Sequence, residues 1–172
     1  MTASLTPAEL RNAFALLSSP GLIRLITEID DNGPIPPRRL AGTLPDLSAH
    51  HLRRTTHVGR AHGLVRVAPG AGLALTEAGS ELADFYDATA RWARRHAYPA
   101  AVCSFTTRLQ HSLSLLAVAL VADRADGSHR PAGEGTPTIE AEAGLFNPRA
   151  LLVQWLDANP QVTVGLEAEL VA

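Results

Sequence analysis

Two short apolar runs, Leu64-Val65-Arg66-Val67 and Leu73-Ala74-Leu75, flank Pro69-Gly70-Ala71-Gly72, whose glycines permit the positive φ of a tight reversal. They predict a β-hairpin. A lone two-stranded hairpin is marginal in water and must lean on its neighbours. Those neighbours read as helices. Thr6-Pro7-Ala8-Glu9 combines a Thr N-cap, Pro at the first helical position and Glu three residues after the cap, which predicts a helix over 7–17 with an apolar face of Leu10, Phe14 and Leu17. Ser19-Pro20 opens a second helix, with Leu22, Leu25, Ile26 and Ile29 at i, i+3, i+4, i+7 spacing and Asn32-Gly33 as its stop. Pro34-Ile35-Pro36-Pro37 is an extended connector, and residues 38–43 have room for about two helical turns before Pro45. Ser48 caps a helix over 49–62 that ends at Gly63. After the hairpin, Thr76 caps a long helix whose Ala78, Leu82, Phe85, Thr89, Trp92 and His96 recur at spacings of three and four, and Tyr98-Pro99 ends it.

Helix, helix, short helix, basic helix, hairpin, long helix is the order of a winged helix-turn-helix, in which the helix after the turn enters the DNA major groove and the hairpin reaches the flanking backbone. The expected class is mainly α (α+β): a winged helix-turn-helix over residues 1–99, then a dimerisation and effector appendage over 100–172. The appendage opens with a helix over about 100–122, carrying Val102, Cys103, Phe105, Leu109, Leu113, Leu116 and Leu120 and almost wholly apolar after Leu113. Such a face must be buried, against a symmetry mate or against the C-terminal segment. Residues 123–135 read as a flexible Gly/Pro/charge-rich loop. Thr136 to Ala143 and Val162 to Val171 alternate like half-buried strands, and Asn147-Pro148 caps a helix with Leu151, Leu152, Trp155 and Leu156, so a small α/β unit is expected.

The net charge of −2 is unevenly spread. Residues 1–99 carry 11 arginines against 9 acids, and residues 100–172 carry 4 against 8. From Arg38 to Arg66 there are 6 arginines and one acid, Asp46, and four of the seven histidines fall between Asp46 and Arg66. A cationic face inside a near-neutral chain suits a polyanion. His50, His51, Arg53, Arg54 and His57 lie on polar faces around an inward-facing Leu52, placed for base edges and phosphates, with arginine suited to bidentate contact with guanine. Ser48 is at the start of that helix, and Arg38, Arg39 and Arg66 are candidate phosphate clamps beside it.

LPDLSAHHLRRTTHVGRAHGLVRV, LALTEAGSEL and DATARWARRH together resemble the HxlR family of bacterial transcriptional regulators, a winged-helix branch close to MarR. Asp46-Leu47-Ser48, Leu52 and Gly63-Leu64-Val65 match its recognition-helix pattern. Leu75, Thr76, Gly79 and Leu82 match the start of its last helix, and Trp92 matches a tryptophan near that helix's end. The resemblance covers about residues 8–98 and implies a homodimeric, cytoplasmic DNA-binding regulator with double-stranded DNA as partner. Thr56 and Gly59 stand where the family usually has leucine, and the chain lacks the N-terminal cysteine of its thiol-sensing members, so that mechanism is not carried over.

Other readings remain open. A winged helix can serve only as a protein–protein adaptor, or Phe85 and Trp92 can line the pocket of a small-molecule sensor instead of the core. The single cysteine, Cys103, excludes an internal disulfide framework and a CxxC motif, and it reads as a buried apolar residue rather than a redox sensor. His50 and His57 are seven residues apart, too far to chelate one ion, so neither metal nor cofactor is expected. Nor is an enzyme, since no nucleophile–base pair or phosphate loop is present. A signal peptide and a membrane span are likewise not expected.

Overall fold

The computed structural model describes residues 5–122 and 139–165. It is mainly helical, with one small two-stranded antiparallel sheet among the described residues. Helix α1 (Pro7–Leu17) begins in a reciprocal capping box: the Thr6 hydroxyl accepts the Glu9 N–H, and the Glu9 carboxylate accepts the Thr6 N–H. Helix α2 (Pro20–Asn32) ends at Gly33, whose φ of 83° few other residues tolerate. A 3₁₀ turn (Pro37–Arg39) runs into the single-turn α3 (Leu40–Thr43), and α4 spans Ala49–Ala61. Strands β1 (Val65–Ala68) and β2 (Gly72–Leu75) pair with Val65 opposite Leu75 and Ala68 opposite Gly72. The long α5 (Glu77–Arg95) starts at Thr76, whose hydroxyl accepts the Gly79 N–H.

The hairpin leans on the rest of the chain in two places. Ile35 of the proline-rich connector exchanges both backbone hydrogen bonds with Leu73, each 2.9 Å, and so adds a one-residue bridge to β2. Gly72, at φ 106°, lies so close to the Ile35 carbonyl that a Cβ there would overlap it. Gly79 plays the same part on the other side, where the first turn of α5 rests on the Leu64 carbonyl.

The hydrophobic core is continuous across Pro99. Helix α6 (Phe105–Ala122) packs on α1, α2 and α5, burying Leu109, Leu113, Leu115, Leu116 and Leu120. Its Gln110 amide donates to the Ser18 carbonyl, and the Tyr86 hydroxyl of α5 donates to the Leu17 carbonyl at the end of α1. Full burial pushes the Tyr86 phenol well above its ordinary range. The leucines expected at a dimer interface are therefore covered within the chain, and only Phe105, in the first turn, is half-buried.

Beyond Pro99 several expectations are corrected. The helix expected from residue 100 starts at Phe105, because Ser104 caps it by accepting the Thr107 N–H, while residues 100–104 form a connector. That connector is held by Arg108, a buried guanidinium donating to the carbonyls of Ala93, Tyr98 and Ala101. Val102 is 92% exposed, and Cys103 lies in the connector, half-buried, rather than on an apolar helix. The strand expected over Thr136 to Ala143 is a helix where it is described, α7 (Ile139–Gly144). A short alternation of Glu and Ala fits either period; both are strong helix formers, and no strand lies beside the segment among the described residues. Asn147-Pro148 is not a cap, because α8 (Phe146–Ala158) continues almost directly from α7, with the Leu145 N–H on the Ala141 carbonyl and the Arg149 N–H on the Leu145 carbonyl. Pro148 fits in the first turn, where no N–H is needed. The second expected strand, Val162 to Val171, opens instead within a 3₁₀ turn (Pro160–Thr163) whose Thr163 carbonyl accepts the Asn12 amide of α1; Val164 and Gly165 are not in a strand, and residues 166–171, like the 123–135 loop, lie outside the described residues. The described appendage is thus helical, not α/β.

Candidate nucleic-acid interface

Helix α4 forms because Ser48 caps it, its hydroxyl accepting the His51 N–H at 3.2 Å. One face is inward. Leu52 and Gly59 are buried, and Thr55, Thr56 and Val58 are half-buried. A Cβ on Gly59 would lie 3.0 Å from a Val65 methyl, and one on Gly21 of α2 would overlap the Thr55 hydroxyl. The departure from leucine at Gly59 thus belongs to a close crossing: a residue without a side chain lets α4 lie tightly on α2 and β1, where a leucine would hold them apart.

The opposite face is the charged one. At 100° per residue His50, Arg53, Arg54, His57 and Arg60 fall on a single stripe, and all five are exposed. Arg60, seven residues after Arg53, was not among the residues expected from sequence; its spacing alone would have placed it there. His51 sits to one side, its ring nitrogen Nδ1 3.0 Å from the Ser48 hydroxyl, so Ser48 and His51 are both engaged in the cap. Arg38 and Arg39 are exposed on the 3₁₀ turn before α3, and Arg66 is exposed on β1, elements on either side of α4. Arg39 also borders an open hollow of about 310 Å³ with Glu28 and Asn32 of α2, which sets it apart from the α4 stripe.

The electrostatics of this face depend on one acid. Asp46 is paired with Arg24 of α2 through two bonds, Nε to Oδ2 at 3.0 Å and Nη2 to Oδ1 at 3.2 Å. Its charge is therefore balanced from outside the stretch. None of Arg38, Arg39, Arg53, Arg54, Arg60 and Arg66 forms an ion pair among the described residues. The hydrogen bonds from Arg24 hold the Asp46 carboxyl below its ordinary range, so the pair stabilises the fold above the unfolded carboxylate pKa, and that contribution disappears as pH falls through the folded value. With side chains 36% and 48% exposed, the effect is small. Asp46→Asn is expected to cost less than about 1 kcal/mol near neutrality, and the gap between variant and parent should close below about pH 4, as measured by thermal melting.

The fourth histidine of the stretch has a different role. His62 is buried, and its Nδ1–H donates to the Gln161 carbonyl at 3.0 Å, while the Gln161 amide reaches back to the His62 carbonyl at 3.4 Å. The end of α4 is thereby clasped by the turn after α8. His62→Ala is expected to cost about 1–3 kcal/mol in urea denaturation, because a buried side chain is removed and the part-buried Gln161 carbonyl loses its donor. His57→Ala, on the exposed stripe, should stay within about 0.5 kcal/mol of the parent. Equal effects at the two positions would show that the clasp adds nothing.

Phe85 and Trp92 are both core residues. The Trp92 indole N–H donates to the Ala141 carbonyl at 3.0 Å, and the ring packs beside His96 and Tyr98, so α7 closes over it. Among the described residues no group of three or more His, Cys, Asp or Glu is placed to hold a metal ion, and no helix is long and apolar enough to cross a membrane. Comparison with family models, with curated proteins and with solved structures returns no match.

Proposed function

We propose that residues 20–95 are a winged helix-turn-helix and that the chain is a homodimeric, DNA-binding transcriptional regulator. The observation that carries this is the stripe of His50, Arg53, Arg54, His57 and Arg60: five exposed basic or protonatable side chains on one face of the helix that follows a turn, with no ion pair among the described residues. In this reading α2, the α3 turn and α4 form the helix-turn-helix, the Ile35–Leu73 bridge ties the hairpin to it, and α4 lies in the major groove. Arg53, Arg54 and Arg60 contact phosphates and guanine edges, and Arg66 on the hairpin reaches the adjoining backbone. The homodimer belongs to the proposal because one recognition helix reads only a few base pairs, while a two-fold pair reads two half-sites one turn apart.

The test is selection of bound fragments from a random DNA pool by the purified chain, followed by titration of the recovered site between 50 and 200 mM salt, a range over which several phosphate contacts cost orders of magnitude in affinity. An enriched two-fold-symmetric site with a steep negative salt slope is the expected result. No enrichment, together with no binding at the lowest salt, would replace this reading with that of a protein–protein adaptor.

A further inference from the structure

Five side chains make up the α4 stripe, and two of them differ in kind from the rest. Arg53, Arg54 and Arg60 stay charged at any pH the fold meets, whereas imidazole is the side chain that ordinarily changes charge between about pH 5 and 8. His50 and His57 are exposed on one face, seven residues and two turns apart. Arg53 and Arg54 lie three or four positions from each of them, and Arg60 lies three from His57, so their neighbours along the helix are cations. No carboxylate offsets them. The chain has no Asp or Glu between Asp46 and Glu77, so neither α4 nor the hairpin supplies one. Of the elements packed on α4, α3 has no titratable group, the 3₁₀ turn before it adds Arg38 and Arg39, and β1 adds Arg66. Helix α2 carries Arg24, Glu28, Asp30 and Asp31. Arg24 is paired with Asp46, Glu28 accepts the Asn32 amide at 2.9 Å, and Asp30 lies in the field of Asp31 and of Asp84 and Asp87 on α5. Of the other histidines on this helix, His51 has its ring centre 6.1 Å from that of His50 and is engaged with Ser48, while His62 is buried on Gln161.

An imidazolium at His50 or His57 therefore finds no counter-charge among the described residues and takes it from outside the chain. A DNA phosphate supplies it. Because a phosphate favours the charged ring, binding DNA and binding a proton assist each other, and linkage makes the effect reciprocal. Affinity gained in this way is fully present at low pH and is lost as pH rises. We propose that His50 and His57 make the grip of α4 on DNA proton-dependent, each ring adding a charged phosphate contact when protonated and none when neutral. The arginines then provide a constant part of the affinity and the histidines a part set by pH. This inference rests on the DNA-binding reading of α4 and names how that same face is regulated.

The full chain is titrated against a fluorescein-labelled DNA duplex of mixed sequence at low salt, from about pH 8 to about pH 6, with circular dichroism at each pH. Net uptake of one proton gives a tenfold gain per pH unit, so binding is expected to be at least about tenfold tighter at the acid end. The slope of log affinity against log salt should steepen there by about 0.9 for each ring that becomes a phosphate contact. His50→Gln/His57→Gln is expected to bind with the same affinity across the range. His50→Arg/His57→Arg, measured at about pH 8 alone, is expected to bind as tightly as the parent does at about pH 6, a comparison that needs no variant in acid. All four substitutions are at exposed positions, so both variants keep the fold. Affinity and salt slope that do not change with pH, a glutamine variant that keeps the parent's pH dependence, or an arginine variant no tighter than the parent at the alkaline end each overturns the proposal. A parent chain that binds no duplex at either end of the range overturns the DNA-binding reading itself, and this inference with it.

Discussion

Replacing Arg53 and Arg54 together with alanine is expected to abolish most of the chain's affinity for DNA while leaving its stability within about 0.5 kcal/mol of the parent. Both side chains are exposed, outside any ion pair among the described residues, and on the far side of α4 from Leu52 and Gly59, so their removal takes away charge and disturbs no packing. Two roles leave different signatures. An arginine that neutralises a phosphate contributes about 0.9 to the slope of log affinity against log salt, so its replacement flattens the slope by that amount and weakens all sequences alike. An arginine that binds guanine through two hydrogen bonds contributes roughly 1–3 kcal/mol of discrimination, so its replacement relaxes preference at that base pair. Arg60→Ala, on the same stripe, is expected to weaken binding further. Unchanged affinity and unchanged slope in the folded double variant would mean that α4 does not enter the groove.

Leu113→Ala with Leu116→Ala is expected to unfold the chain, not to split a dimer into folded protomers. Both leucines are fully buried where α6 packs on α1, α2 and α5. A buried Leu→Ala change typically costs 2–5 kcal/mol, so the pair approaches the roughly 5–15 kcal/mol of a whole domain. Val118→Ala with Val121→Ala is the control. These lie on the outward face of α6, 46% and 49% exposed, and their truncation should change stability by less than about 1 kcal/mol. Circular dichroism and sedimentation separate the outcomes. A folded monomer from the leucine pair would assign the apolar length of α6 to a partner chain.

In the first hundred residues the local signals and the tertiary packing agree, and sequence alone was enough to place the elements. The Thr6–Glu9 box, the Ser48 and Thr76 caps and the Gly33 and Gly63 stops act through bonds to near neighbours in the chain, and the hairpin turn likewise depends on nearby residues. The charged face of α4 was legible for the same reason, since a 3.6-residue period needs only the helix to exist. Partners distant in the chain were not legible. Nothing in the spelling of Gly59, Gly72 and Gly79 tells that they admit Val65, the Ile35 carbonyl and the Leu64 carbonyl. Nor does it tell that His62 is clasped by Gln161 while His57 stays exposed, or that Arg24 balances Asp46. Beyond Pro99, the start of α6 depends on the hydrogen bonds of Arg108 to three carbonyls as well as on the Ser104 cap, and α7 is a helix although its Glu/Ala alternation suits a strand equally. Caps and periods are short-range and written in order along the chain. Which apolar face covers which, and which polar group meets its partner, is decided only when segments far apart in the chain come together, as His62 and Gln161 do at a separation of 99 and Asn12 and Thr163 at 151.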